Sequence, residues 1–60
     1  SIPEAIYLSD RILVLTSRPA RICLDLPVAL PRPRHEDMRY SQSFVDLAQQ
    51  IRHQLSSMAG

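Results

Sequence analysis

The stretch DRILVLTSRPARICLDLPV, residues 10–28, contains the two apolar segments from which a β-hairpin is predicted. Its first half holds a continuous apolar run, Ile12 to Leu15, which has the length of one strand and contains β-branched residues suited to a pleated surface. Its second half alternates between aliphatic and other residues, and this period of two predicts a strand with one aliphatic face. The aliphatic positions are Ile22, Leu24, Leu26 and Val28.

Pro19 and Ala20 lie between the two runs and predict the turn of a β-hairpin. Proline presets φ for the first central position, and Ala20 has no special freedom for positive φ, so we expect a type I turn rather than type II. Pro27 cannot donate to a strand ladder, and Asp25 is unfavourable between two neighbouring strands. The second strand is therefore predicted to lie at an edge.

A short helix is predicted over residues 1–10, before the hairpin. Ser1, Pro3 and Glu4 have the pattern of a capping box with proline near the first helical position. At about two turns, this helix is too short to be stable alone. Its apolar stripe is predicted to consist of Ile2, Ala5, Ile6 and Leu8 or Ser9.

A second, longer helix is predicted over residues 42–58. Ser41 and Ser43 are cap residues, Asp46 is placed to favour the positive helix end, and Gly60 is expected to end the helix. Apolar residues recur at spacings of three and four, so this amphipathic stripe is expected to pack on the hairpin or on a second chain. The stripe consists of Phe44, Leu47, Ala48, Ile51, Leu55 and Met58.

The linker over residues 29–41 separates the hairpin from this helix. The two prolines of its Pro-Arg-Pro-Arg segment exclude helix and favour an extended, solvated path. The segment could serve as a polyproline ligand or a phosphate-binding arm, but Glu36 and Asp37 cancel much of its charge. We interpret it as a connecting strap over the surface, with Arg32 and Arg34 available to an acidic group of a partner.

Together these elements predict an α/β fold of the order helix, β-hairpin, helix (α-β-β-α), with two antiparallel strands. The chain is treated as a single small unit over residues 1–60, with the hairpin over residues 11–28. A chain this short buries only about 60% of the surface that it exposes when unfolded. A two-stranded hairpin is also not stable alone, so another surface is expected to cover it.

Charge and composition exclude several classes of protein. A net charge of +1 is too small for a nucleic-acid footprint. No apolar run approaches the ~20 residues of a membrane span, so direct membrane insertion is not expected. The single cysteine, Cys23, cannot form an internal disulfide, and no neighbouring His or Lys favours its thiolate. It is therefore expected to be a small buried apolar residue.

No residue is predicted to be catalytic, cofactor-binding or metal-binding. His35 and His53 have no second ligand at a metal-binding spacing. Adjacent carboxylates such as Glu36 and Asp37 rarely converge on one substrate. Because Gly60 is the only glycine, the chain has no phosphate-cradling loop, and its serines lack a nucleophile-elbow context.

The first half of the chain nevertheless resembles a known family. Residues 1–22 resemble the segment that follows the switch histidine in ATP-binding cassette (ABC) transporter ATPases, where a helix with Glu-Ala is followed by Asp-Arg and a strand. The matching positions are Glu4-Ala5, Leu8, Asp10-Arg11, Val14 and Arg18-Pro19. The spacing of Ser17 to Ile22, Leu26-Pro27 and Leu30 to Arg34 is similar to the ATPase subunits of nitrate, sulfonate and taurine importers. Ala20 stands where that family usually has Gly.

The resemblance, which covers about Ser1 to Arg34, implies the C-terminal part of an ATPase that powers import of a small anion. ATP and Mg²⁺ are implied for the parent protein and none for this chain, since the family's catalytic motifs lie upstream of Ser1. The chain alone is thus not expected to be an enzyme. Implied partners are the parent ATPase core, a second ATPase subunit and the membrane permease, at the cytoplasmic face of the cell membrane.

Two further expectations follow from the sequence. Asp10 and Arg11 match family positions and are expected to close the first helix and orient the strand. The numbering begins on a helix cap without an initiator Met, so we expect a fragment of a longer chain.

Two alternatives to the ATPase fragment stay open. In the first, the chain is a stand-alone interaction or regulatory module that forms a homo-oligomer through its hairpin and C-terminal helix, because its apolar stripes exceed what it can cover. In the second, it is an arginine-rich arm that binds phosphates.

Overall fold

The computed structural model describes residues 1–59 and confirms the predicted helix–hairpin–helix fold, with a short 3-10 helix added. Gly60, the expected end of the last helix, lies outside the described residues. The elements are α1 (Ile2–Leu8), β1 (Arg11–Ser17), β2 (Ala20–Pro27), the 3-10 helix η1 (Glu36–Tyr40) and α2 (Gln42–Ala59).

The hairpin is a two-stranded antiparallel sheet with a tight turn. Ser17 pairs with Ala20, so only Arg18 and Pro19 form the loop, and the peptide bond between them is cis. Pro19 therefore occupies the second central position of the turn. The expected type I turn is wrong, because proline at that position would force Arg18 out of the conformation that a type I turn requires.

A β-bulge at Cys23 changes which side chains of β2 share a face. The register passes from the pair Val14–Leu24 to the pair Leu15–Ile22, so Cys23 has no partner across the ladder. Directly paired residues lie on the same face, and Ile22 therefore joins the exposed Leu15 instead of the core. The predicted single aliphatic face of β2 is wrong at Ile22, which is 58% exposed.

The core lies between one face of the hairpin and the two α-helices. α2 contributes three of its residues at spacings of four and three, as the predicted stripe requires. Leu55 and Met58 are 42% and 39% exposed, so the predicted stripe extends past the core at its C-terminal end. The buried residues are Ile6, Val14, Val28, Phe44, Ala48 and Ile51.

α1 begins as predicted but buries a narrower stripe. The Ser1 hydroxyl accepts a hydrogen bond from the Glu4 amide at 3.3 Å, which caps the helix. Ile6 is fully buried, whereas Ala5 is exposed and Leu8 is 70% exposed. The predicted stripe is therefore wrong at Ala5, because only one side of the two-turn helix meets the core. Of the two alternatives for its last position, Leu8 is exposed and Ser9 is partly buried.

α2 is capped by Ser41, whose hydroxyl accepts from the Phe44 amide at 3.3 Å. Asp46 lies beyond the first turn, where its carboxylate accepts from the Gln42 side chain at 2.7 Å. The expected role of Asp46 at the positive helix end is therefore wrong. Among residues 1–59, no helix combines the length and apolarity that a membrane span requires.

The linker contains a short helix, which differs from the predicted extended path. Its first part, residues 29–35, has no regular structure, but residues 36–40 form η1. Arg39 Nη1 lies 2.6 Å from Glu36 Oε1 within this short helix. The predicted extended path is therefore wrong over residues 36–40.

Candidate functional site

The linker places a buried arginine at the end of α1. The Arg34 side chain is only 3% exposed, and its guanidinium donates to five backbone carbonyls. Through Nη1 it donates to the carbonyls of Ile6, Tyr7 and Ser9, at 2.9, 3.0 and 2.5 Å. Through Nη2 it donates to the carbonyls of Val28 and Leu30, both at 3.3 Å. One guanidinium thus joins the end of α1 to the residues after β2.

Arg34 provides the hydrogen-bond donors and the positive charge that the C-terminal end of α1 lacks. The last carbonyls of a helix have no partner within the helix, and a cation near them is favourable. α1 has no basic residue in its last turn, and its C-cap residue, Ser9, has an extended backbone instead of the usual glycine cap. Arg34 supplies the missing cation from a distant part of the chain.

Tyr7, Asp10 and Arg32 complete this cluster, which we call the arginine clasp together with Arg34. The Tyr7 hydroxyl donates to the Arg34 carbonyl at 2.8 Å. Arg32 donates to Asp10 Oδ1 through Nε at 3.1 Å and through Nη2 at 2.9 Å. Asp10 Oδ1 also lies 3.8 Å from Arg34 Nη2. Arg32 and Arg34 are therefore both engaged within the chain.

The clasp corrects two predictions about the linker. Arg34 was expected to lie on a surface strap and to be available to an acidic group of a partner, but its guanidinium is buried against backbone carbonyls. Arg32 is 52% exposed and pairs with Asp10 of the same chain. The clasp could not be predicted from local sequence patterns, because its partners are distant in sequence. The one signal was an α1 that lacks both a C-terminal glycine and a cation.

Asp10 and Arg11 both connect the start of β1 to β2 and the residue after it. The Asp10 carbonyl accepts from the Val28 amide at 2.8 Å and so ties the start of β1 to the residue after β2. Arg11 donates to both carboxylate oxygens of Asp25, at 2.7 and 2.5 Å. These hydrogen bonds lower the pKa of the Asp25 carboxyl and raise the pKa of Arg11. The pair explains how β2 tolerates a carboxylate.

The other residues considered for chemistry lie apart from the clasp. His35 precedes η1, and His53 is on the exposed side of α2. Cys23 is partly buried, and its thiol donates to the Val14 carbonyl at 3.2 Å. In the part of the chain that the structure describes, no three His, Cys, Asp or Glu side chains are grouped to hold a metal ion. The clasp contains no nucleophile beside a base, so what its geometry achieves is to fix backbone positions.

Shallow clefts border α1 and α2. One of about 190 Å³ lies between α1 and η1 and is lined by Pro3, Tyr7 and Arg39, among others. Another, of about 260 Å³, shares Pro3 and Arg39 and continues along α2 to Arg52. Both are open to solvent, and neither brings together a set of groups that matches a known chemistry.

The chain is similar to part of several ATP-binding proteins. It is 38% identical over 52 residues to a putative ATP-binding protein of Brucella melitensis, which covers 87% of this chain and 22% of that protein. It is 45% identical over 51 residues to an uncharacterized ABC transporter ATP-binding protein of Methanocaldococcus jannaschii, covering 85% of this chain and 18% of that protein. No protein-family model and no solved structure matches it.

A shorter match has a higher sequence identity. An aliphatic sulfonates import ATP-binding protein, SsuB, of Pseudomonas syringae pv. tomato is 58% identical over 33 residues, which are 55% of this chain and 14% of that protein. The chain spans about a fifth of the length of the relatives that it matches over most of its residues. The resemblance to ABC transporter ATPases is therefore confirmed, and the chain is a partial homologue of the ATP-binding proteins of ABC transporters.

Proposed function

We propose that this chain is the C-terminal portion of an ABC transporter ATPase and that it contributes structure instead of catalytic groups. The observation that carries the proposal is the sequence similarity of 52 residues, 87% of this chain, to a protein of which they make up 22%. The 58% identity to a sulfonates import protein supports an importer of a small anion, of the nitrate, sulfonate or taurine class. The parent protein hydrolyses ATP with Mg²⁺ bound to residues outside this chain.

The proposed partners follow from the same assignment. They are the parent ATPase core, a second ATPase subunit and a membrane permease, and the parent works at the cytoplasmic face of the cell membrane. The clasp supports a structural role, because Arg34 holds α1 against the hairpin through five carbonyl hydrogen bonds. Within the parent, this chain acts as a preformed unit that keeps α1 in a fixed orientation.

A chimera tests this proposal. The matching segment of the Pseudomonas syringae SsuB protein is replaced by this chain, and Mg²⁺-dependent ATP hydrolysis is measured beside the unaltered protein and a variant that lacks the segment. We expect the chimera to hydrolyse ATP and the deletion variant to lose activity. A chimera as inactive as the deletion variant contradicts the proposal. Growth on an aliphatic sulfonate as sulfur source shows whether an active chimera also supports import.

The isolated chain supplies a second test. It should neither bind nor hydrolyse ATP, because it has no glycine loop and no lysine to hold a triphosphate. Titration with ATP and Mg²⁺, followed by amide chemical shifts, should show no saturable change. Saturable binding at low micromolar ATP means that the chain holds a nucleotide site of its own.

Exposed aliphatic residues favour one alternative function, a self-associating interaction module. Leu13, Leu15 and Ile22 are 48%, 54% and 58% exposed on the hairpin, and Leu55 is 42% exposed on α2. Such a module forms a homo-oligomer whose population rises with concentration. Sedimentation of the chain over a wide concentration range tests this alternative. If the chain is a monomer at every concentration, the alternative is excluded.

A further inference from the structure

The cleft of about 260 Å³ beside α2 combines an apolar lining with two arginines. Phe44 and Ala48 line it from α2 and are buried, at 3% and 4% exposure, and Val45 lies between them in sequence. The two charged residues of the lining are Arg39, from η1, and Arg52, from α2. This cleft, which we call the α2 cleft, therefore offers apolar contact and positive charge side by side.

The positive charge of the α2 cleft is not neutralised within the part of the chain that the structure describes. Arg52 is exposed and forms no ion pair with any of residues 1–59. Arg39 pairs with Glu36 through Nη1 at 2.6 Å, which leaves its Nε and Nη2 groups without an acceptor in the same range. Guanidinium groups bind carboxylates through parallel hydrogen bonds, so both arginines can bind an acidic partner.

The size of the α2 cleft favours a protein segment over a small molecule. Small-molecule pockets usually measure roughly 300–1,000 Å³ and enclose most of the ligand, whereas the α2 cleft is smaller and open to solvent. It suits one apolar side chain of a segment that lies across the surface. Because Phe44 and Ala48 belong to the core, this apolar lining is preformed and needs little ordering on binding.

Tyr40 borders the α2 cleft with most of its side chain in solvent. It is 86% exposed, more than any other large apolar residue of the described chain. Tyrosine and arginine are both enriched in the binding surfaces of proteins. Tyr40 beside Arg39 and Arg52 is therefore typical of a protein-binding surface.

We propose that the α2 cleft docks an acidic segment of another protein, in which an apolar side chain lies between carboxylates. The apolar side chain packs on Phe44, Val45 and Ala48, and the carboxylates pair with Arg39 and Arg52. A net charge of +1 and the apolar lining do not favour a nucleic acid as the occupant. The inference goes beyond the proposed function and does not depend on it, since it uses only the lining of the cleft.

A peptide titration of the isotope-labelled chain tests the inference. The probe is the synthetic peptide acetyl-Gly-Glu-Glu-Leu-Glu-Glu-Gly-amide, in about 0.15 M salt, where the Debye length is about 8 Å. We expect saturable shifts of the amides of Tyr40, Val45 and Arg52, with a dissociation constant below about 1 mM. Two control peptides, one with Lys in place of every Glu and one with Ser in place of Leu, should give no saturable shift.

Charge reversal at the cleft provides the matched comparison. Arg52→Glu should raise the dissociation constant at least about tenfold, because like charges then face each other. Arg18→Glu makes the same change of net charge in the hairpin loop and should alter it by less than about twofold. Circular dichroism checks that both variants keep the fold. Arg52→Gln, which removes the charge alone, should also weaken binding and replaces Arg52→Glu if that variant unfolds.

Several outcomes overturn the inference. The first is the absence of saturable binding of the acidic peptide. The second is an equal response to the Ser peptide or to inorganic phosphate, which means that the cleft recognises charge alone. The third is an equal loss of affinity in Arg52→Glu and Arg18→Glu. If the same amides shift with chain concentration when no peptide is present, the occupant is a second copy of this chain instead.

Discussion

Tyr7 and Arg34 hydrogen-bond to each other in both directions. The Tyr7 hydroxyl donates to the Arg34 carbonyl at 2.8 Å, and the Arg34 guanidinium donates to the Tyr7 carbonyl at 3.0 Å. The two residues are 27 positions apart, so this contact closes the linker onto α1. A helix of seven residues, too short to be stable in isolation, is thereby held by tertiary contacts.

Removal of the Arg34 guanidinium should therefore destabilise the chain strongly. Arg34→Ala leaves five carbonyls without their donor, and we expect a loss of about 2–3 kcal/mol in the free energy of unfolding. Arg34→Lys should also destabilise, because a single ammonium group lacks the fork that reaches two sets of carbonyls. Urea unfolding followed by circular dichroism measures both losses.

Arg32 provides the matched control for this prediction. Its side chain is 52% exposed and pairs with Asp10, which is 83% exposed. Exposed pairs contribute little, so Arg32→Ala should cost less than about 1 kcal/mol. Equal effects of the two alanine variants would show that burial of Arg34 adds no stability.

The stability of the chain should be sensitive to truncation of Ile51, in the buried part of α2. This residue is 4% exposed in the core, and truncation of a buried aliphatic side chain typically costs ~2–5 kcal/mol. Such a loss approaches the whole stability of a small domain, so Ile51→Ala should unfold the chain. Gln50→Ala, on the exposed side, should change stability by less than about 0.5 kcal/mol. Thermal melts that show equally small effects would contradict the packing of this stripe.

The ion pair between Arg11 and Asp25 should make the free energy of unfolding depend on pH. Because the hydrogen bonds from Arg11 lower the pKa of Asp25, the pair stabilises the fold above the unfolded pKa of an aspartate, about 4. This contribution is lost as the pH falls through the lowered pKa of the folded state. Urea midpoints of the unsubstituted chain and of Asp25→Asn should therefore differ at pH 7 and converge below about pH 4. A difference that stays constant with pH would mean that the charge of Asp25 is not involved.

The cap of α2 gives a further test. Ser41→Ala removes the hydroxyl that accepts from the Phe44 amide and should cost about 1 kcal/mol. Ser43, exposed on the first turn of the helix, is a matched control, and Ser43→Ala should change stability by less than about 0.5 kcal/mol. A reversed order of the two losses would identify Ser43 as the functional cap.

Features that depend on near neighbours could be predicted well. The run from Ile12 to Leu15 and the spacing of Phe44, Ala48 and Ile51 indicated the first strand and the packed side of α2, because period alone decides which side chains share a face. The bulge at Cys23 could not be predicted in this way. A single extra residue shifts the phase of β2, and its position depends on how the two strands pair.

The order of the elements, the hairpin and the helix caps at Ser1 and Ser41 could be predicted from the sequence, since each depends on residues that are near one another along the chain. The resemblance to ABC transporter ATPases could also be predicted, from the residues between about Ser1 and Arg34. The burial of Arg34 and the exposure of Leu13, Leu15 and Ile22 depend on the tertiary structure. Arg34 finds its carbonyl acceptors up to 28 positions away, and exposure depends on which layer covers each side of the sheet. Those relationships arise from packing in three dimensions, and no local pattern of residues encodes them.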